Sequence, residues 1–200
     1  MWTAAILVGG QARRLGSLDK SALEVGGRSI LERQLALARS LTPHLLIVAR
    51  DGQLPRAYGV PVALDRVPGA GALGGLYTAL LEAPTEQVVV IACDMPFLTA
   101  PFLTRLAEVG AEAEVAMPHD ARGSHPLCAS YHRRIATRLR GRIDAGHLGV
   151  LDALTGLDVR RIGSDELAPF DPTGRLLLNV NTPEDYARAR AAAEATQPPA

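Results

Sequence analysis

The chain has 200 residues and a mass of 21.2 kDa, the size of one domain. Hydrophobic residues make up 48% and charged residues 21%, which excludes a chain disordered from end to end. The 21 basic and 21 acidic residues cancel, so the basic excess of a non-specific nucleic-acid or membrane-surface binder is missing. Cys93 and Cys128 stand in no metal-ligand spacing and read as buried, reduced thiols of a cytoplasmic protein.

In chain order, Thr3 to Val8 is apolar and stops at Gly9-Gly10, which reads as a buried strand and not as a signal peptide or membrane span. Residues 9–28 hold five glycines and no apolar period, so a long loop is expected. Ser29-Ile30-Leu31-Glu32 has capping-box form and opens a helix that continues to Leu41. Strands are expected at Leu45–Ala49, Val60–Leu64 and Gln87–Cys93, the last apolar throughout, as in a parallel sheet covered on both faces. Gly69 to Gly75 reads as a glycine-rich stretch with a helix after it to about Ala83. Thr99 and Pro101 start a helix running to about Val109. Glu114–Pro118 and Pro126–Tyr131 read as strands around a polar turn, with helices near His132–Arg140 and His147–Leu157. A late strand is expected at Arg175–Val180, and Thr182-Pro183-Glu184-Asp185 opens a C-terminal helix. The alternation of strand and helix predicts an α/β three-layer sandwich in a single domain over residues 1–200.

Four clusters carry possible chemistry. The first is the stretch from Leu7 to Lys20. Two glycines after a strand let backbone approach a ligand, and Arg13, Arg14 and Lys20 add positive charge, the makings of a phosphate cradle. Lys20 is the one lysine beside 20 arginines, which marks it out in a background that favours arginine. The second is Gly69-Ala70-Gly71-Ala72-Leu73-Gly74, which contains G-x-G-x-x-G. A dinucleotide fingerprint should follow the first strand directly, and this one does not. The third is Cys93-Asp94-Met95-Pro96. A carboxylate at the end of an apolar strand faces the crevice where open α/β sheets bind ligands, and one such Asp plus substrate phosphates suffices for Mg²⁺. The fourth is Asn179-Val180-Asn181, whose alternation puts both amides on one side of an extended segment. His125-Pro126 is a weaker candidate, and no G-x-S-x-G elbow is present.

Together these pieces resemble the molybdenum cofactor guanylyltransferase family, and through it the wider sugar-nucleotide and isoprenoid nucleotidyltransferases. Leu7, Gly9, Gly10, Arg14, Gly16 and Lys20 match its opening motif. Gly71-Ala72-Leu73-Gly74-Gly75, Cys93-Asp94-Met95-Pro96, His125-Pro126 and Asn179 to Glu184 match its later motifs in the right order. Departures are Val48 where an Asn is common, Ala72 for a Pro and Ser17 for a Gly.

The resemblance implies a Rossmann-like, mostly parallel sheet of the nucleotide-diphospho-sugar transferase type. It implies transfer of GMP from GTP to the terminal phosphate of molybdopterin or Mo-molybdopterin, with release of pyrophosphate. Leu7, Val8, Gly9, Gly10, Lys20, Asp65 and Asp94 would then bind nucleotide. Lys20, Arg14 and Asp94 would be catalytic, and Asp94 with Asn181 would hold Mg²⁺. Partners would be the two substrates and proteins of molybdenum cofactor synthesis or molybdoenzyme maturation, with no nucleic acid and no membrane. Rival readings are a molybdopterin cytidylyltransferase, a phospholactate guanylyltransferase, a Rossmann oxidoreductase and a non-catalytic cofactor-binding module.

Overall fold

The computed structural model describes residues 1–9, 22–50 and 58–195. Its strands are β1 (Trp2–Val8), β2 (Glu24–Val25), β3 (Arg28–Ser29), β4 (Leu45–Ala49), β5 (Val62–Leu64), β6 (Gln87–Ala92), β7 (Val115–Asp120), β8 (Gly123–Ser124), β9 (Cys128–His132) and β10 (Val159–Ile162). Its helices are α1 (Ile30–Arg39), α2 (Gly71–Glu82), α3 (Ala100–Gly110), α4 (Ala136–Asp144), α5 (Val150–Ala153), α6 (Ser164–Leu167) and α7 (Pro183–Glu194).

The main sheet has the order β10-β7-β9-β6-β1-β4-β5, with β8 paired to β7. Strands β5, β4, β1 and β6 run parallel, β9 is antiparallel to both β6 and β7, and β10 is parallel to β7. Successive side chains of a strand point to opposite faces. In β6, Val88 and Val90 join the core under α2 and α4, while Val89 and Ile91 join the core under α3. In β1, Ala5 faces the α2 side, and Ile6 and Val8 pack with Leu31 and Leu35 of α1. Both faces are buried, which is why these strands read as unbroken apolar runs. The result is the expected α/β/α sandwich. A fourth cluster joins Leu23, Val25 and Ile30 to Val180, Ala189 and Ala193, so α7 closes against the β2–β3 hairpin.

The caps form as the sequence predicts. The Glu32 N–H donates to Ser29 Oγ at 3.2 Å and the Ser29 N–H to Glu32 Oε2 at 2.9 Å. Thr182 and Asp185 make the same reciprocal pair at the start of α7. Four expectations need correction. The loop expected over residues 9–28 contains the β2–β3 hairpin, which turns on Gly26 and Gly27 at φ 63° and 76°, the pair of positive φ values that a tight hairpin turn demands. Helix α2 begins inside the glycine-rich stretch at Gly71 and not after it. Arg175–Val180 is no strand: Asp171 Oδ1 accepts the N–H groups of Arg175 and Leu176, and the Leu178 N–H folds back to Arg175 O at 3.0 Å, so local turn bonds take the place of a strand ladder. The helix expected at His147–Leu157 shrinks to the single turn of α5, and β10 follows it unforeseen at the edge of the sheet.

Candidate active site

The strand order reverses at β1: β4 and β5 lie to one side of it, and β6 and the remaining strands to the other. Open α/β sheets bind ligands outside the carboxyl ends of the strands at such a reversal. Backbone hydrogen bonds continue the register past the strand ends. Asp65 N–H donates to Ala49 O at 2.8 Å, Arg50 N–H to Val8 O at 3.2 Å and Cys93 N–H to Leu7 O at 3.1 Å. Asp65, Arg50, Gly9 and Asp94 are thereby brought to one edge. Together they border a cleft of about 270 Å³ walled by Leu7, Val48, Ala49, Ala92 and Leu127. Apolar walls with a few polar groups at the rim are the usual make-up of a small-molecule site.

Each polar group is held from a different element. Asp65 Oδ1 accepts the Val67 N–H at 2.9 Å. Gly74 of α2 lets that carboxylate lie close, since a Cβ there would stand 3.1 Å from Asp65 Oδ1 and 3.0 Å from Val67 O. Asp94 leaves β6 on a turn. Its Oδ1 accepts from Asn179 Nδ2 at 3.2 Å, and its carbonyl accepts the Val180 N–H at 2.8 Å. The segment before α7 thus reaches the cleft without being a strand. Of the two asparagines, Asn179 donates to the Asp94 carboxylate, whereas Asn181 is exposed and its N–H bonds Asp185 at 3.1 Å. At the end of β7, Asp120 accepts from His125 Nε2 at 2.9 Å and from Arg122 Nη2 at 2.7 Å. Burial raises the pKa of Asp120, but the hydrogen bonds from Arg122 and His125 outweigh burial and hold it at about 2. His125-Pro126 precedes β9 in a turn, because the Cys128 N–H folds back to His125 O.

Gly10, Arg14 and Lys20 lie outside the described residues. Leu7, Val8, Gly9, Asp65 and Asp94 all line the one cleft. Sequence reasoning passed over Arg50, although it stands directly after the apolar run of β4. A cation there is exposed and borders the cleft. No group of three or more His, Cys, Asp or Glu side chains suited to a metal occurs among the described residues.

The family model of the MobA-like NTP transferase domain matches residues 4–158. The chain belongs to this family. As a MobA-like NTP transferase it is 34% identical to the molybdenum cofactor guanylyltransferase of Rhodopseudomonas palustris over 195 residues, which covers 93% of this chain and 91% of the relative. The crystal structure of molybdopterin-guanine dinucleotide biosynthesis protein A from Archaeoglobus fulgidus superposes with a TM-score of 0.87 at 28% identity, covering 97% of this chain and all of the other. The fold extends further: 2-C-methyl-D-erythritol 4-phosphate cytidylyltransferase from Thermus thermophilus shares it with a TM-score of 0.69 at 17% identity, covering 95% and 98%. In this MobA-like NTP transferase the G-x-G-x-x-G run follows β5, with Gly69 and Gly71 at φ 97° and 61° leading into α2. It is therefore a lip of the cleft and not the turn after the first strand that a dinucleotide needs.

Proposed function

We propose that the protein transfers GMP from GTP to the terminal phosphate of molybdopterin or Mo-molybdopterin, releasing pyrophosphate. The observation that carries this is the convergence of Gly9, Asp65 and Asp94 on one cleft at the sheet's reversal point, in a chain whose relatives are molybdenum cofactor guanylyltransferases. Residues 1–200 act as one domain, in keeping with a sheet that takes strands from Trp2 to Ile162 and a C-terminal helix that packs back on the N-terminal hairpin.

The acceptor is a phosphate whose second ionisation lies near pH 6, so it is already an anionic nucleophile and needs no general base. The task is electrostatic: two polyanions meet and charge grows on the leaving pyrophosphate. Leu7, Val8, Gly9, Gly10 and Asp65 bind the nucleotide in this proposal, with Lys20 and Arg14 facing the phosphates. Asp94 suits a divalent cation, since Mg²⁺ takes one or two carboxylates and completes its oxygen shell with phosphates and water. Asp94 would hold it, with Asn181 beside it, and the bound ion would neutralise charge on the transferring and leaving phosphates. Asn179 holds the Asp94 carboxylate by its hydrogen bond.

The product passes, in the same proposal, to molybdoenzyme maturation proteins in the cytoplasm. The two cysteines are buried and form no disulfide, as a reducing compartment allows, and no helix among the described residues is long and apolar enough to cross a membrane. The test is incubation with GTP, molybdopterin and Mg²⁺, followed by mass analysis. A guanylylated molybdopterin that disappears with EDTA supports the proposal; unmodified molybdopterin in the presence of metal overturns it.

A further inference from the structure

The proposed metal carboxylate sits on a turn, and a turn is a poor anchor unless something fixes it. Cys93 and Asp94 form its centre, and the carbonyls of Ala92 and Met95 flank them. Gln34, in the middle of α1, sends its Nε2 to both carbonyls, at 2.7 Å from Ala92 O and 3.1 Å from Met95 O. An amide nitrogen has two hydrogens, so each carbonyl receives one. The orientation follows from the partners, because the oxygen end cannot face two carbonyls.

We propose that Gln34 is a positioning residue for the reaction, clasping the backbone on both sides of Asp94 so that its carboxylate meets the metal in a fixed place. The inference rests on the reading of Asp94 as the metal ligand. Three observations support it. Gln34 is only 2% exposed, and its Oε1 is buried without a hydrogen-bond partner among the described residues. An unpaired buried acceptor destabilises the fold, so packing alone would be better served by a leucine or methionine of similar volume. Next, α1 does not need Gln34 for its own anchorage, since Ile30, Leu31, Leu35 and Ala38 are all buried from the same helix. Finally, the same turn is gripped from other directions. Arg33 Nε donates to Pro96 O at 3.3 Å, and the Val180 N–H donates to Asp94 O at 2.8 Å. Gln34 alone among these spans Asp94 from one side to the other. A ligand placed before the reaction loses no rate to reorganisation during it.

The test uses the full chain with Gln34→Met and Gln34→Leu, which keep bulk and remove both donors. Thermal unfolding is followed first. Binding of Mn²⁺ in the ternary complex with GTP is then read from water-proton relaxation, and kcat and KM for GTP are measured. Loss of a group that orients a metal ligand typically costs about 10–100-fold in metal affinity or activity. The expected result is a folded variant with weaker Mn²⁺ binding and kcat lower by about 10-fold or more, while KM for GTP moves by less than about threefold. Folded variants with parental Mn²⁺ binding and kcat would overturn the role. Failure of both variants to fold would also overturn it, by making Gln34 a stability residue. Asp94→Asn run alongside separates the two failures. Unchanged Mn²⁺ binding there removes the metal reading, and the Gln34 role with it. Lost binding there beside parental Gln34 variants removes the Gln34 role alone.

Discussion

Gly9 stands where β1 opens into the cleft, and a Cβ on it would lie 3.2 Å from the Cβ of Arg50. That is a tight contact with an atom fixed to the Arg50 backbone, so in Gly9→Ala the ends of β1 and β4 must part by a few tenths of an ångström. A residue without Cβ leaves room for a purine beside the loop backbone. Gly9→Ala should therefore reduce kcat/KM for GTP more than for CTP, measured with both nucleotides under the same conditions; an unchanged ratio would contradict this. Lys20→Ala should lower turnover by about 10²-fold or more, the scale of one preorganised charge contact, with Lys20→Arg rescuing part of it in steady-state assays. Asp120 makes a prediction about stability. Its folded pKa of about 2 lies below the value near 4 of an unfolded Asp, so its contribution is complete above about pH 4 and is lost as pH falls towards 2. The side chain is only 19% exposed, and the shift corresponds to about 2 kcal/mol. Denaturant unfolding should find Asp120→Asn less stable by about that amount at pH 7, with the two curves meeting near pH 2. Asp94 and Gly9 were legible in the sequence because each follows an apolar strand directly. The contact from Asn179 to Asp94 was not, because it joins residues 85 apart through an irregular segment whose shape is set by tertiary packing.

The helices show how one substitution can take either sign. Gly110 ends α3 against β9, where a Cβ would stand 2.1 Å from Ser130 Oγ and 2.3 Å from Ser130 Cβ, and Ser130 is fully buried. Gly110→Ala should destabilise by about 1–3 kcal/mol, the usual cost of overpacking. Gly141 lies in the middle of α4, exposed, with nothing among the described residues within 4 Å of an added Cβ. Gly141→Ala should stabilise by about 0.5–1 kcal/mol through helix propensity alone. Thermal melts of the two variants decide both signs. Elements with local signals were readable from the chain. Ser29 with Glu32 and Thr182 with Asp185 carry their cap chemistry within four residues, and β4 was read to the residue. Elements that depend on distant partners were not. Strand β10 alternates weakly, as an edge strand with Arg160 and Arg161 exposed, and gains its identity only by pairing with β7. The segment before α7 shows the reverse case: Leu176, Leu177 and Leu178 have strand-like composition, yet Asp171 caps their backbone into turns.

For the molecule as a whole, the layered architecture follows from alternating strand and helix signals, but the order of strands does not. Nothing in the local pattern says that β9 inserts between β6 and β7 in the opposite direction, or that β6 returns beside β1. That return creates the reversal point, and the reversal point gathers Gly9, Arg50, Asp65 and Asp94 from four separate stretches of chain. The sequence motifs mark Gly9 and Asp94 singly, the resemblance adds Asp65, and the sheet brings Arg50 beside them at one cleft. The base is the least local property of all: Val48, which departs from the pattern the resemblance implies, packs into the core beside the cleft, so in the proposed reaction guanine would be read by other groups at this edge. A site that hydrogen-bonds one base edge rejects another because its polar groups are left unpaired. The most direct measurement is pyrophosphate release from each of GTP, CTP, ATP and UTP, with and without molybdopterin. The account predicts release that requires molybdopterin and favours GTP over CTP by at least about tenfold in kcat/KM, or about 1.4 kcal/mol. Predominant use of CTP, or release indifferent to molybdopterin, would contradict it.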